Sequence, residues 1–221
     1  MKIDILTLFP NMFDGIFSES IIKRAIEKKL IEINLVDFRK YSLDKHNKVD
    51  DTPFGGGSGM VLMCQPIFDA VNDLKEEDTT VILLTPDGLT FKQEMAKELS
   101  LKKHLIIICG HYEGFDDRIR TIVDLEISIG DFILTGGEVA SMILTDAITR
   151  LIPGVITQES LVEESFNNNL LDYPTYTKPQ NFRDLEVPEV LISGNHQEIK
   201  KYRYEEQVKR TNEKRPDLLN K

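Results

Sequence analysis

The sequence predicts an α/β fold built on a mostly parallel sheet, followed by a small, mainly helical C-terminal region. Three observations carry this. Short apolar runs rich in β-branched residues recur at Lys2–Phe9, Ile31–Phe38, Thr80–Thr85, Leu105–Cys109 and Asp124–Ile129, each bounded by Pro, Gly, Asp or Asn, as strands are. Helical patterns lie between several of them, and strands alternating with helices imply a parallel sheet. The pattern changes after Pro153-Gly154, and a polar helical segment begins near Asn195.

The elements follow in order. MKIDILTLFP lacks a long apolar h-region and a small-residue cleavage site, so it reads as a first strand rather than a signal peptide. Ser20–Lys29 places Ile22 and Ile26 at i, i+4 with charges elsewhere, and Gln65–Leu74 follows a Gly-rich loop. Phe91–Leu99 and Glu138–Arg150 are further helix candidates. Residues 155–181 carry Asn167-Asn168-Asn169, Pro174 and Pro179 and little periodicity; such a linker is longer than compact domains usually contain. In the last helix, Asn195 stands three residues before Glu198, the spacing of an N-terminal cap. Lys200, Arg203, Gln207, Arg210 and Lys214 share one stripe of that helix. Sequence alone slightly favours a solvated face for this stripe over a surface for phosphates.

A chain of 221 residues with 41% hydrophobic content supports one sizeable core plus an appendage. No apolar run approaches the ~20 residues that cross a bilayer. Cys64 and Cys109 lie far apart in apolar settings, which suggests buried spectators and a reducing cytoplasm. A net charge of −10 argues against non-specific nucleic-acid binding. The charge is uneven, however: residues 1–170 hold 17 Lys+Arg against 28 Asp+Glu, and residues 171–221 hold 10 against 9.

Walker A, GxGxxG, HExxH, CxxC and GxSxG patterns are all missing from the sequence, which weakens NTPase, dehydrogenase, zinc hydrolase and α/β hydrolase assignments. What remains is a set of loops at strand ends. Leu84-Thr85-Pro86-Asp87-Gly88, Gly110-His111-Tyr112-Glu113-Gly114 and the Ile129–Glu138 stretch follow consecutive apolar runs. Ligands of open α/β sheets sit beyond the carboxyl ends of strands. Glycine there permits close approach, and free backbone groups can read an adenine edge.

These loops resemble those of the bacterial tRNA (guanine-N1)-methyltransferases, the TrmD type. The matching stretches are LFPNMF, VDDTPFGGGSGM, LLTPDG, CGHYEGFDDR, EISIGDFILTGGE, RLIPGV, EESFNNNLLDYPTYTKP, VPEVLISGNH and KRPDLL, in the family's order over nearly the whole chain. The resemblance implies a deep trefoil knot in a catalytic domain of residues 1–156, a linker over 157–171 and a tRNA-binding domain over 172–221. It implies S-adenosylmethionine as methyl donor, held by Leu83, Leu84, Thr85, Pro86 and Gly88; by Gly110, Tyr112 and Glu113; and by Ser128, Ile129, Gly130, Asp131, Phe132, Ile133, Leu134, Gly136 and Gly137. It also implies tRNA as partner and a homodimer with active sites shared between protomers. The family is aided by Mg2+, yet no ligand cluster for a metal stands out in the sequence.

The implied reaction methylates N1 of the guanosine immediately 3′ of the anticodon, tRNA nucleotide 37, which helps maintain the reading frame. Guanine N1 must lose a proton, so catalysis needs a base near N1, a donor for charge building on O6 and in-line placement of the methyl. By resemblance Arg150 is the cation near O6 and phosphate. The family's base is an aspartate preceding a Ser-Phe pair; here Glu164 precedes Ser165-Phe166, and the segment from Arg150 is one residue shorter. Glu163 and Glu164 also read as plain linker charges. His46, Asp50 and Gly59 match a region near the target base, and Lys200, Arg203, Arg210 and Lys214 are the candidate phosphate contacts. Thr175 and Lys178 stand where His and Arg are frequent, and Ser58 where Pro is common. Two rivals remain: a knotted methyltransferase with another RNA target, and a non-catalytic RNA-binding relative that has lost the base.

Overall fold

The computed structural model describes residues 1–157, 160–161 and 164–219. The first strands are β1 (Lys2–Thr7) and β2 (Glu32–Asp37), followed by a short antiparallel pair, β3 (Asp50–Asp51) and β4 (Val61–Leu62). Three further strands, β5 (Thr79–Thr90), β6 (His104–Ile108) and β7 (Leu125–Ser128), complete a five-stranded sheet of order β2-β1-β6-β5-β7. Every pairing in it is parallel.

Alternation along the strands divides the core into two layers. Ile3, Ile5, Ile82, Leu105, Ile107 and Ile127 pack with Leu144 and Ile148 on one face. Leu6, Val81, Leu83, Ile106 and Ile108 pack with Phe38, Ile67 and Val71 on the other. With both faces covered, the centres of β5 and β6 read as continuous apolar runs, Val81–Leu84 and Leu105–Ile108, which is why the sequence located them. The covering helices are α1 (Asp14–Phe17), α2 (Ser20–Glu27), α3 (Cys64–Leu74), α4 (Gln93–Ser100) and α5 (Glu138–Thr149). Both cysteines are free; Cys109 is buried and Cys64 only half-buried. Burial pushes the Cys109 thiol well up.

The core also holds a polar string across the strands. Asn34 Nδ2 donates to Asp4 Oδ1 at 2.8 Å, the other Asp4 oxygen lies 2.9 Å from His104 Nε2, and His104 Nδ1 lies 2.7 Å from Thr79 Oγ1. Each buried group is thereby satisfied.

The fifth strand departs from expectation. The sequence suggests a strand ending at Thr85 and then a loop, whereas β5 continues to Thr90. Leu84 and Leu89 both pair with Ile127, so the residues between them are thrown out of the ladder. Pro86 lies inside this excursion and has no N–H to give to a ladder.

The chain divides into two compact units, Met1–Ile156 and Thr157–Lys221. The second contains a hairpin of β8 (Asn181–Phe182) and β9 (Leu185–Glu186), then α6 (Glu189–Ile192) and α7 (His196–Lys214). The hairpin turns through Arg183 and Asp184, both with positive φ, as a two-residue turn of the I′ type requires. Asn195 caps α7, accepting from the backbone N–H of Gln197 and Glu198 at 3.2 and 3.4 Å. The reciprocal half of the capping box is replaced: Asn195 N donates to Ser193 Oγ at 3.1 Å.

Residues 164–173, expected to be linker, are knitted locally. Phe166 N donates to Leu170 O at 2.7 Å, Asp172 N to Ser165 Oγ at 2.9 Å, and Leu171 N to the buried Thr211 on α7 at 2.9 Å. The stretch lacks periodicity because its order comes from side-chain caps, one short 3-10 turn over Asn167–Asn169 and left-handed Asn168 and Asn169, not from an α-helix or a strand.

Candidate functional site

The carboxyl ends of β5, β6 and β7 enclose a cavity of about 330 Å³. The β5 excursion contributes Leu84, Thr85 and Pro86, the loop after β6 contributes Gly110–Phe115, and the segment after β7 contributes most of the remainder up to Ala140. Volume and placement suit a ligand of nucleoside size.

Local contacts hold these segments in place. Gly130 has φ +145°, and a Cβ on it would stand 2.6 Å from the Phe132 ring; an L side chain is strained there and lacks space. Its N–H donates to Ser128 Oγ at 3.2 Å. The chain then returns across the preceding loop: Gly137 N donates to Gly110 O at 2.7 Å, and His111 bridges to Gly136. At Gly137 a Cβ would lie 2.8 Å from Cys109 Cα, so two backbones meet there without intervening side chains. His111 packs against Phe9, with ring centroids 4.8 Å apart, and edge-on to Tyr112 at 5.1 Å. On the β5 side, the Thr85 hydroxyl holds the Asp87 carboxyl below the usual range, aided by Arg120.

Most of the expected donor residues meet at this cavity. Three lie outside its lining. The Leu83 side chain is in the core, Asp131 is exposed, and Gly88 lies against β7, with Ile127 N 2.5 Å from where a Cβ would stand. The lining also includes His111, Gly114, Phe115, Ile127, Thr135 and Ala140, which sequence reasoning did not single out. His111, Gly114 and Thr135 lie in the same three loops, but choosing among loop residues requires knowing which way each side chain turns; Phe115, Ile127 and Ala140 lie outside them, on flanking positions that only the fold brings to the cavity.

Of the residues expected near the target base, Gly59 (φ +84°) packs so closely on Glu113 that a Cβ would stand 2.4 Å from its Cγ. This brings the Gly-rich loop against a cavity-lining residue. Asp50 pairs with Leu62 beside that loop, and His46 is exposed in the turn capped by Asp44. Arg150 is half-buried at the C-terminal end of α5. Glu164 is half-buried in the second unit, its carbonyl accepting from Asn167 N at 3.2 Å; Glu163 lies outside the described residues. The α7 stripe is divided. Lys200 and Lys214 are exposed. Arg203 stacks over Tyr173 at 4.7 Å, and Arg210 donates to Asp172 O at 3.2 Å. Among the described residues no group of three or more His, Cys, Asp or Glu could hold a metal ion, and no helix is long and apolar enough to cross a membrane.

A parallel α/β sheet with a glycine-lined cavity at three consecutive strand ends defines a ligand-binding protein of the nucleotide-type α/β class. A model of the family described as tRNA (Guanine-1)-methyltransferase TrmD matches residues 1–221. The chain is 58% identical over 219 residues to the tRNA (guanine-N(1)-)-methyltransferase of Malacoplasma penetrans, covering 99% of this chain and 97% of that protein. It is 56% identical over 224 residues to the protein of that name from Staphylococcus haemolyticus, covering 100% and 91%. A Bacillus cereus relative of the same name is 55% identical over 224 residues, covering 99% and 92%. The chain belongs to the TrmD family of tRNA (guanine-1)-methyltransferases.

Proposed function

We propose that this chain transfers a methyl group from S-adenosylmethionine to N1 of the guanosine at tRNA nucleotide 37, immediately 3′ of the anticodon, and so helps maintain reading frame. The carrying observation is the cavity at the ends of β5, β6 and β7, in a chain matched to the family over its full length. When bound, S-adenosylmethionine supplies a sulfonium methyl, an electrophile that needs no metal activation. The cavity fits it: about 330 Å³, lined by glycines at which a side chain would distort its wall. Leu84, Thr85, Pro86, Tyr112, Gly130 and Gly136 hold the donor. Glu164 accepts the N1 proton, and Arg150 stabilises charge on O6.

Residues 1–156 form the catalytic domain and residues 172–221 the tRNA-binding domain, joined over 157–171. The knot of the family accords with the close approach of Gly136-Gly137 to Cys109-Gly110. The active unit is a homodimer whose protomers share each active site. Exposed Phe132 and Ile133, with Val139 and Ile143 one turn apart on α5, offer an apolar face for a second copy. The enzyme works in the cytoplasm, with its tRNA.

Methyl transfer to undermodified tRNA tests the proposal. Product 1-methylguanosine supports it. Methylation of a different nucleoside points to another RNA target, and donor binding without transfer points to a non-catalytic relative.

A further inference from the structure

Glu138 is a buried carboxylate to which the reaction above gives no task. It lies in the first turn of α5 and is 2% exposed. A carboxylate is expensive to bury unless partnered. One oxygen, Oε1, accepts from Thr7 Oγ1 at 2.8 Å, and Thr7 Oγ1 in turn accepts from Phe9 N at 2.9 Å. The other, Oε2, faces His111 Nδ1 at 3.9 Å. That ring nitrogen is enclosed and has no hydrogen-bond partner. The two side chains meet beneath Gly136: a Cβ there would stand 2.4 Å from Glu138 Oε2 and 2.5 Å from His111 Nδ1. Both His111 and Gly136 line the cavity.

A lone pair on Nδ1 would face the carboxylate with like polarity, whereas an N–H there faces it favourably. We propose that Glu138 is a positioning residue of the donor pocket: acting through His111, it holds the imidazole with its proton on Nδ1 and keeps the Gly110–Gly114 loop in the shape that receives the donor. Histidine side chains bearing ligand contacts are commonly oriented in this way by a partner behind the ring. The inference rests on the donor-pocket reading for its consequence, but not for the pairing itself.

The test combines Glu138→Gln with His111→Phe. In Glu138→Gln the amide oxygen still accepts from Thr7, so its NH2 group faces Nδ1 and demands a lone pair there. The 15N shifts of His111, assigned by comparison with His111→Phe, should therefore show a protonated Nδ1 in the wild type and a switch to Nε2–H in Glu138→Gln. Calorimetric affinity for S-adenosylhomocysteine should fall roughly tenfold or more in either variant. The double variant should lose little beyond the singles, because both act on one contact. A merely structural glutamate would lower the melting temperature without moving the tautomer. An unprotonated Nδ1 in the wild type, additive losses, or full affinity in His111→Phe would each overturn the proposal. Should Glu138→Gln not fold, the wild-type 15N spectrum and His111→Phe still decide. A wild-type protein that fails to bind S-adenosylhomocysteine would instead remove the donor pocket, leaving the 15N spectrum to judge the pairing.

Discussion

At Gly130 and Gly136 the cavity wall has no room for a side chain, against Phe132 in one case and against His111 and Glu138 in the other. S-adenosylhomocysteine should raise the melting temperature of the wild type by mass action, and Gly130→Val or Gly136→Val should abolish that shift. An unchanged shift in both would remove these loops from the site. Glu164 carries a second prediction. Glu164→Gln keeps size and hydrogen bonding but cannot take a proton, so single-turnover transfer should fall by roughly 10²–10⁴-fold with tRNA affinity nearly intact. If the glutamate compensates for a shorter segment, Glu164→Asp should also be slow. A near-normal rate in Glu164→Gln would move the base elsewhere, with Asp172 the next residue to test. The glycines were legible in the sequence because their runs follow apolar strands. His111 and Glu138 were not, because their meaning arises only where Thr7, His111 and Glu138 converge.

Among the elements, the buried strands were the most legible, since both faces of β1 and β6 are buried and their residues are mostly apolar. The β5 excursion was less so: a proline in a turn-like stretch does not reveal that the ladder resumes with Leu89 on the same partner, Ile127. Helix α7 shows what spacing leaves open. Its stripe of cations is real in sequence, yet Arg203 and Arg210 are engaged with Tyr173 and Asp172 while Lys200 and Lys214 are exposed. Replacing Lys200 and Lys214 together by Gln should make the slope of log affinity for tRNA against log salt shallower by about one unit or more, with the melting temperature unchanged. Arg203→Gln should lower stability by about 0.5–1 kcal/mol through the lost cation–π contact. Equal salt slopes for wild type and the double lysine variant would return those lysines to an ordinary solvated surface.

At the scale of the whole molecule, alternation of strands and helices announced a parallel sheet, but no local pattern encodes the close approach of Gly137 to Cys109. Crossings depend on which side of an earlier loop the chain passes, and hydrophobic periodicity carries no such information. The expectation of a knot came from the family resemblance alone. Assembly yields a prediction here. An Arg150→Ala chain mixed with a Gly130→Val chain should recover activity, since one site of the hybrid dimer keeps all its parts. Absence of recovery, with heterodimers shown to form, would mean that each site is built within one chain.

The most direct measurement is positional. An unmodified tRNA transcript with guanosine at nucleotide 37 is incubated with the protein and labelled S-adenosylmethionine, and the methylated nucleoside is identified and mapped by mass spectrometry. The account predicts 1-methylguanosine at nucleotide 37, and no label when adenosine replaces that guanosine. Label at another nucleotide, at another atom of the guanine, or nowhere in a protein shown to bind the donor would contradict it.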